Sequence, residues 1–184
     1  MQAEVRARVS SAIGPAAGGY DGSVMTYDSH ARYMDAVLRG NVFMAANQSG
    51  VTSQAGLSAT TPVLTLFNPK GNNKNAVLLW AGATNIIAVA TTQVVWLAAN
   101  NNIAAAAVTG TVSTITANAL IGNGNNPSIQ VLLAATLHTA PIAIAMLGTV
   151  GTVAVTSWPQ VASFGRYFDG SVIIAPGGAV SIQT

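Results

Sequence analysis

The sequence predicts an all-β fold: a jelly-roll-like antiparallel β-sandwich with an N-terminal arm and one short helix. Short segments rich in Val, Ile, Leu and Thr recur along the chain, with turn signals roughly every 8–12 residues. Two alternating apolar segments, Val63-Leu64-Thr65-Leu66-Phe67 and Ala76-Val77-Leu78-Leu79-Trp80, flank a polar bend at residues 68–75. Convincing helical patterning is confined to residues 29–39. About eight core strands in a chain that ends in β make a jelly roll the simplest arrangement.

At 184 residues the chain holds one domain of ordinary size and a short extension. The expected division is an arm and helix over 1–40 and a sandwich over 41–184. Charged residues make up 7% of the chain, against roughly 25% in a typical soluble domain. Ala, Thr, Asn, Gly and Ser take their place, and residues 75–165 contain no Asp, Glu, Lys or Arg. So neutral a surface is poorly repelled from its neighbours and favours association. Seven basic and five acidic side chains are too sparse for a nucleic-acid footprint, which needs Lys and Arg clustered on one face. Cysteine is absent, which excludes disulfides and thiolate metal sites. The N-terminal MQAEVRARVSSAIGPAAGG has no apolar h-region, so export by a standard signal is not expected.

No membrane span is expected either. The most apolar windows, 85–99 and 141–158, are interrupted by Thr91, Thr92 and Gln93 in one and by Gly148, Thr149, Gly151 and Thr152 in the other. Three Trp, four Tyr and four Phe are too few for the girdles of an outer-membrane barrel.

Taken in order, residues 1–27 read as an arm. Arg6 and Arg8 lie among small residues, and Gly14-Pro15-Ala16-Ala17-Gly18-Gly19 disfavours any regular element. Residues 29–39 form the helix, with Asp28 as N-cap, Gly40 at the C-terminal stop, and Asp28–Arg32 and Asp35–Arg39 at i,i+4. Val42-Phe43-Met44 opens a strand and Asn47-Gln48-Ser49-Gly50 turns it. Residues 51–60 suit an edge strand or loop. After the hairpin come strands expected at 84–90, 92–98, 103–109, 111–117, 129–136, 142–147, 150–157, 161–168, 171–175 and 178–183. Asn100-Asn101-Asn102 and Asn123, Asn125 and Asn126 mark two exposed reversals. The last strand alternates cleanly, Val180 and Ile182 against Ser181 and Gln183, and Pro176-Gly177-Gly178 separates it from Val172-Ile173-Ile174.

The run from Ala46-Asn47-Gln48-Ser49-Gly50 through Leu66-Phe67-Asn68-Pro69-Lys70-Gly71-Asn72-Asn73-Lys74-Asn75-Ala76-Val77-Leu78-Leu79 resembles a segment of tailed-phage structural proteins. Those carry a similar YNP-x-GSGKN-x-x-LL hairpin and end in a strand like residues 172–182. Phe67 replaces the aromatic hydroxyl here, and Asn72-Asn73 replaces Ser-Gly. The resemblance covers under a third of the chain. It implies a virion component made in the host cytoplasm and placed on the capsid surface, such as a capsid decoration (cement) protein, often trimeric. Its implied partners are copies of itself and the major capsid protein, with no nucleic acid, no membrane and no cofactor.

No reaction is indicated by the residues. General acid–base work needs two titratable groups in one pocket, and four of the five acids, Glu4, Asp21, Asp28 and Asp35, precede the β region that holds only Asp169. His30 and His138 match no metal spacing; His138 is expected to be a hydrogen-bonded core or interface residue. The sequence lacks a G-x-S-x-G elbow, and Gly122-Asn123-Gly124-Asn125-Asn126-Pro127 is a turn with Pro127 where a dinucleotide loop needs glycine. Trp80, Trp96, Trp158, Tyr167 and Phe168 are expected in core or interface packing, with a sugar-stacking platform as the alternative. The candidate subunit or capsid contacts are Arg6, Arg8, Arg32, Arg39, Lys70 and Lys74. Besides decoration, the readings kept open are a carbohydrate-binding module of a fibre or surface protein and the shell-forming subunit itself.

Overall fold

A computed structural model describes residues 4–6, 13–15, 32–48, 56–85, 92–100, 108–112, 116–150 and 162–184. The chain separates into two compact units, Met1–Arg39 and Gly40–Thr184.

In the first unit, β1 (Glu4–Arg6) and β2 (Ile13–Pro15) form a short antiparallel ladder with Glu4 opposite Pro15. The Gly-Pro stretch thus does enter a regular element; Pro15 sits at the ladder's end, where a strand tolerates a missing donor. The helix α1 is confined to Met34–Leu38, flanked by turns at 32–33 and 39–40. It is shorter than the sequence predicts at its described end, as Arg32 and Tyr33 are not helical. Gly40, at φ 68°, takes the left-handed conformation expected of a helix stop. Asp28 and His30 lie outside the described residues.

The second unit contains β3 (Phe43–Ala45), β4 (Leu64–Phe67), β5 (Ala76–Asn85), β6 (Gln93–Asn100), β7 (Thr109–Val112), β8 (Thr116–Asn118), β9 (Gln130–Thr136), β10 (Ile142–Val150), β11 (Ala162–Ile174) and β12 (Ala179–Gln183). All their pairings are antiparallel. Six strands make one sheet in the order β10-β6-β12-β4-β9-β7; β5 pairs with β11 in a two-stranded ribbon, and β3 with β8 in another. The β5–β11 ribbon packs on the large sheet through Leu78, Ala81, Val95, Leu97, Leu147, Val150, Phe168, Ile174, Val180 and Ile182. The result is an antiparallel sandwich.

The large sheet is buried on both faces around β12. Val180 and Ile182 enter the core under the ribbon. On the other face Ala179 joins Phe67, Val108, Leu132, Ala135 and Leu137 in a second cluster. The alternation in 179–183 would suit a half-exposed strand, but all five residues are buried. Gln183 shows how the polar half is accommodated: its amide accepts from Ser58 N (3.0 Å) and donates to Ser58 O (3.1 Å) and Ser181 Oγ (2.9 Å). The side chain thereby supplies the hydrogen bonds that a neighbouring strand would make.

Several expected boundaries dissolve. Segments 161–168 and 171–175 are one strand, β11, because a bulge absorbs the extra residues between them. Tyr167 pairs with Trp80 and Val172 with Leu78, so residues 168–171 all oppose Leu79. Asp169 (φ 48°) and Gly170 (φ 92°) provide the left-handed turns that the excursion requires. The segment 142–147 runs on through two register shifts to Val150; residues 151–157 lie outside the described set, as do 86–90 and 103–107. Asn100 does not belong to an exposed reversal. It ends β6, is buried, and donates to Thr139 O and Oγ1, both at 2.7 Å. Near the end of the β4–β9 ladder, Thr60 bridges Thr136 beyond a break where Thr61 (φ 53°) and Ala134 (φ 47°) are both left-handed.

The segments flanking the 68–75 bend do not form the expected hairpin, because β4 pairs with β12 and β9 in the large sheet while β5 pairs with β11 in the ribbon; one side chain fastens this bend to the final turn. Asn68 is fully buried, and its Nδ2 donates to Lys74 O (2.9 Å) and Ile174 O (2.8 Å) while its Oδ1 accepts from Asn72 Nδ2 (2.7 Å). Its backbone N–H bonds Gly178 O (2.9 Å) and its carbonyl accepts from Gly177 N (2.7 Å). Asn68→Ala leaves the buried Ile174 carbonyl and the Lys74 carbonyl without a donor, so chemical denaturation should show a loss of about 3 kcal/mol. Asn68→Asp should fare no better, since an ionised carboxylate cannot donate to either carbonyl.

Candidate functional site

The β5–β11 ladder fixes which side chains share the ribbon's outward face. Residues directly opposite one another in an antiparallel ladder point the same way. The outward pairs are Thr84–Ser163, Gly82–Gly165, Trp80–Tyr167 and, beyond the bulge, Val77–Ile173. Trp80 is 52% exposed, Tyr167 72%, Val77 50% and Ile173 59%. The bulge is why Val77 and Trp80 appear together. Opposite residues 168–171 the alternation of β5 slips by one, so that Leu78 and Ala81 are both buried.

The Trp80 indole lies over the glycine pair. A Cβ on Gly82 would fall 2.5 Å from Cζ2 and Cη2 of the ring, and one on Gly165 2.5 Å from Cζ2 and 2.8 Å from Cε2. Only glycine at both positions leaves room for the ring to lie against the backbone. Glycine inside a strand costs about 0.5–1 kcal/mol relative to alanine, and the ring offsets part of that by shielding the bare backbone. Farther along the same face, Thr84 Oγ1 donates to Ser163 Oγ across 3.3 Å at an exposed position. Arg166 belongs to the other side of the ladder, opposite the buried Ala81, with its guanidinium 5.7 Å from the Phe168 ring centroid.

The aromatic residues therefore divide. Phe168 is core, Trp96 is half-buried on β6, Trp80 and Tyr167 are exposed side by side, and Trp158 lies outside the described residues. Sequence reading singled out both exposed aromatics but missed Gly82 and Gly165. Each glycine becomes meaningful only once the register sets them opposite each other.

The candidate charged contacts are distributed between the two units. Arg6 ends β1, Arg32 and Arg39 are exposed beside α1 and each has an interaction partner, and Arg8 is outside the described residues. Lys70 and Lys74 are exposed on the 68–75 bend of the second unit. Among the described residues, no group of three His, Cys, Asp or Glu could hold a metal ion, and no helix is long and apolar enough to cross a membrane.

A second exposed apolar set lies on β10, at one end of the large sheet's order: Ile142 (64%), Ile144 (44%) and Met146 (51%). In the loop that leads into it, His138 departs from expectation. Both ring nitrogens are buried and neither has a hydrogen-bond partner. Among the described residues it is therefore not the hydrogen-bonded core residue expected.

No family model, curated protein or solved structure matches the chain.

Gly165→Ala places a methyl where the indole lies, so Trp80 should swing off the backbone and its fluorescence emission should move to the red. Subtracting the Trp80→Phe spectrum removes the Trp96 and Trp158 signals; an unchanged difference spectrum would show that the glycine cradle is wrong. For His138→Phe, thermal unfolding should reveal equal or greater stability, by up to about 2 kcal/mol, because two unpaired buried nitrogens disappear.

Proposed function

We propose that the protein is a non-enzymatic structural component of a virion: a capsid decoration protein that binds the shell as an oligomer, a trimer being favoured. The observation that carries this reading is β10. It stands at the end of the sheet order with Ile142, Ile144 and Met146 exposed, inside a stretch with no charged side chain from residue 75 to residue 165.

Monomeric β-proteins guard their edge strands with Lys, Pro, inward charges or a covering element, because unpaired backbone groups beside apolar side chains template further pairing. Pro141 precedes β10 and two register shifts interrupt its pairing with β6, but no residue of the strand carries a charge. Against a second copy or the major capsid protein, such a strand loses nothing to charge desolvation. Its side chains contribute at roughly 25 cal/mol per Å² of apolar surface covered. Binding only to the assembled shell then stabilises that shell by mass action. The resemblance of residues 46–79 to a segment of virion proteins supports the same reading at the level of sequence, although here β4 and β5 enter different sheets.

Light scattering on the full chain should give the mass of an oligomer. Ile144→Lys should reduce that mass to a monomer's while leaving the circular dichroism spectrum unchanged. A wild-type chain that stays monomeric at high concentration would overturn the oligomeric reading. Heating shells with and without the protein tests reinforcement, and the expected result is a higher disruption temperature with it bound.

A further inference from the structure

We propose that the outward face of the β5–β11 ribbon is a binding site for a neutral carbohydrate chain. The Trp80 indole would stack on one sugar ring, Tyr167 beside it on the next contact, and the hydroxyls of Thr84 and Ser163 would meet the sugar's own. This site does not rest on the reading of β10, which lies in the other sheet.

Four features specify the ligand. The indole lies against the Gly82–Gly165 pair, its Cζ2 2.5 Å from where a Cβ would stand on either, and half the residue's surface remains open. A ring fixed in this way offers a preorganised apolar plane, the surface that the C–H face of a pyranose fits. Tyr167 extends the platform directly across the ladder and carries a phenolic hydroxyl that both donates and accepts. Thr84 and Ser163 lie one same-face step beyond the glycine pair, about 7 Å along the strands. Their mutual hydrogen bond, at 3.3 Å and exposed, is long and readily exchanged for a ligand hydroxyl.

The fourth feature is charge. None of the eight residues in the outward pairs is ionic at neutral pH. A nucleic acid would stack on the same aromatics but requires a basic groove to hold its phosphates. A neutral polyhydroxylated chain has no such requirement.

The test is titration of the full chain with neutral hexasaccharides built from glucose, mannose, galactose or N-acetylglucosamine, followed by tryptophan fluorescence. At least one should give a saturable change. Tyr167→Ala and Trp80→Ala should each weaken its binding, the latter about tenfold or more, the scale of one lost stacked ring. Thr84→Ala with Ser163→Ala should weaken it without altering the spectrum of the free protein. Gly165→Ala should weaken it too, by lifting the indole while retaining it. Silence with all four sugars overturns the proposal, and so does binding that survives Trp80→Ala. If Trp80 instead becomes occluded as protein concentration rises without sugar, the face belongs to a second copy and the proposal fails. None of these variants should alter the mass in light scattering, so this failure is separable from that of the β10 reading.

Discussion

The sandwich depends on closing its two ends of chain at one point, and Asn68 performs that closure. The bend at 68–75 follows β4 in the large sheet and leads into β5 in the ribbon; the turn at 175–178 follows β11 in the ribbon and leads into β12 in the large sheet. Each therefore crosses between layers, and Asn68 bonds both, through Lys74 O and Ile174 O from its side chain and Gly177 and Gly178 from its backbone. A short amide suits this place because it can donate twice and accept once without charge, in a site where an ion would carry a heavy desolvation cost. With the crossings joined, β12 is held between β4 and β6, and both apolar clusters form on it.

That central strand explains the economy of charge in the rest of the chain. A sheet buried on both faces has little room for long polar side chains, so its polar positions are short or neutral: Thr65, Asn100, Ser181 and Gln183 are all buried on or beside it. Satisfaction is nearly complete but not total. Thr65 Oγ1 and Asn100 Oδ1 have no partner, and Thr61 and Ala134 hold left-handed backbone that non-glycine residues adopt at a cost of about 1 kcal/mol or more.

The fold class, the bend at 68–75 and the positions of β4, β9 and β12 were legible because each rests on local chemistry: short apolar runs bounded by Asn, Pro and Gly; that the segments flanking the bend enter different sheets was not. What was not legible depends on pairing. Asn100 reads as a turn residue in an Asn cluster, yet a partner from the next connection, Thr139, makes it a buried strand end. The gap between the strands expected at 161–168 and 171–175 reads as a break, yet the opposing β5 continues past it and the break becomes a bulge. The candidate site shows the same division. Trp80 and Tyr167 are visible as aromatics, but their adjacency arises from the register, and the bulge that brings Val77 to their side has no one-dimensional signature. Strict alternation from Val77 would have placed Trp80 inside.

The two exposed apolar regions differ in a way that assigns them different physics. β10 offers exposed apolar side chains on both faces of a strand at the end of the sheet order, Ile142 opposite Ala99 and Met146 opposite Trp96, where backbone hydrogen bonds can add to apolar contact. The ribbon face offers a single rigid plane with hydroxyls at one end, beside a backbone already paired across β5 and β11. A strand can extend the first; it gains no ladder by lying on the second. Because the exposed apolar side chains of both regions are uncharged, contacts made through them escape the screening that weakens exposed ion pairs at physiological salt. On the proposed readings, uncharged surfaces would keep a shell contact through changes of ionic strength, and the ribbon face would select its ligand by shape and hydroxyl placement.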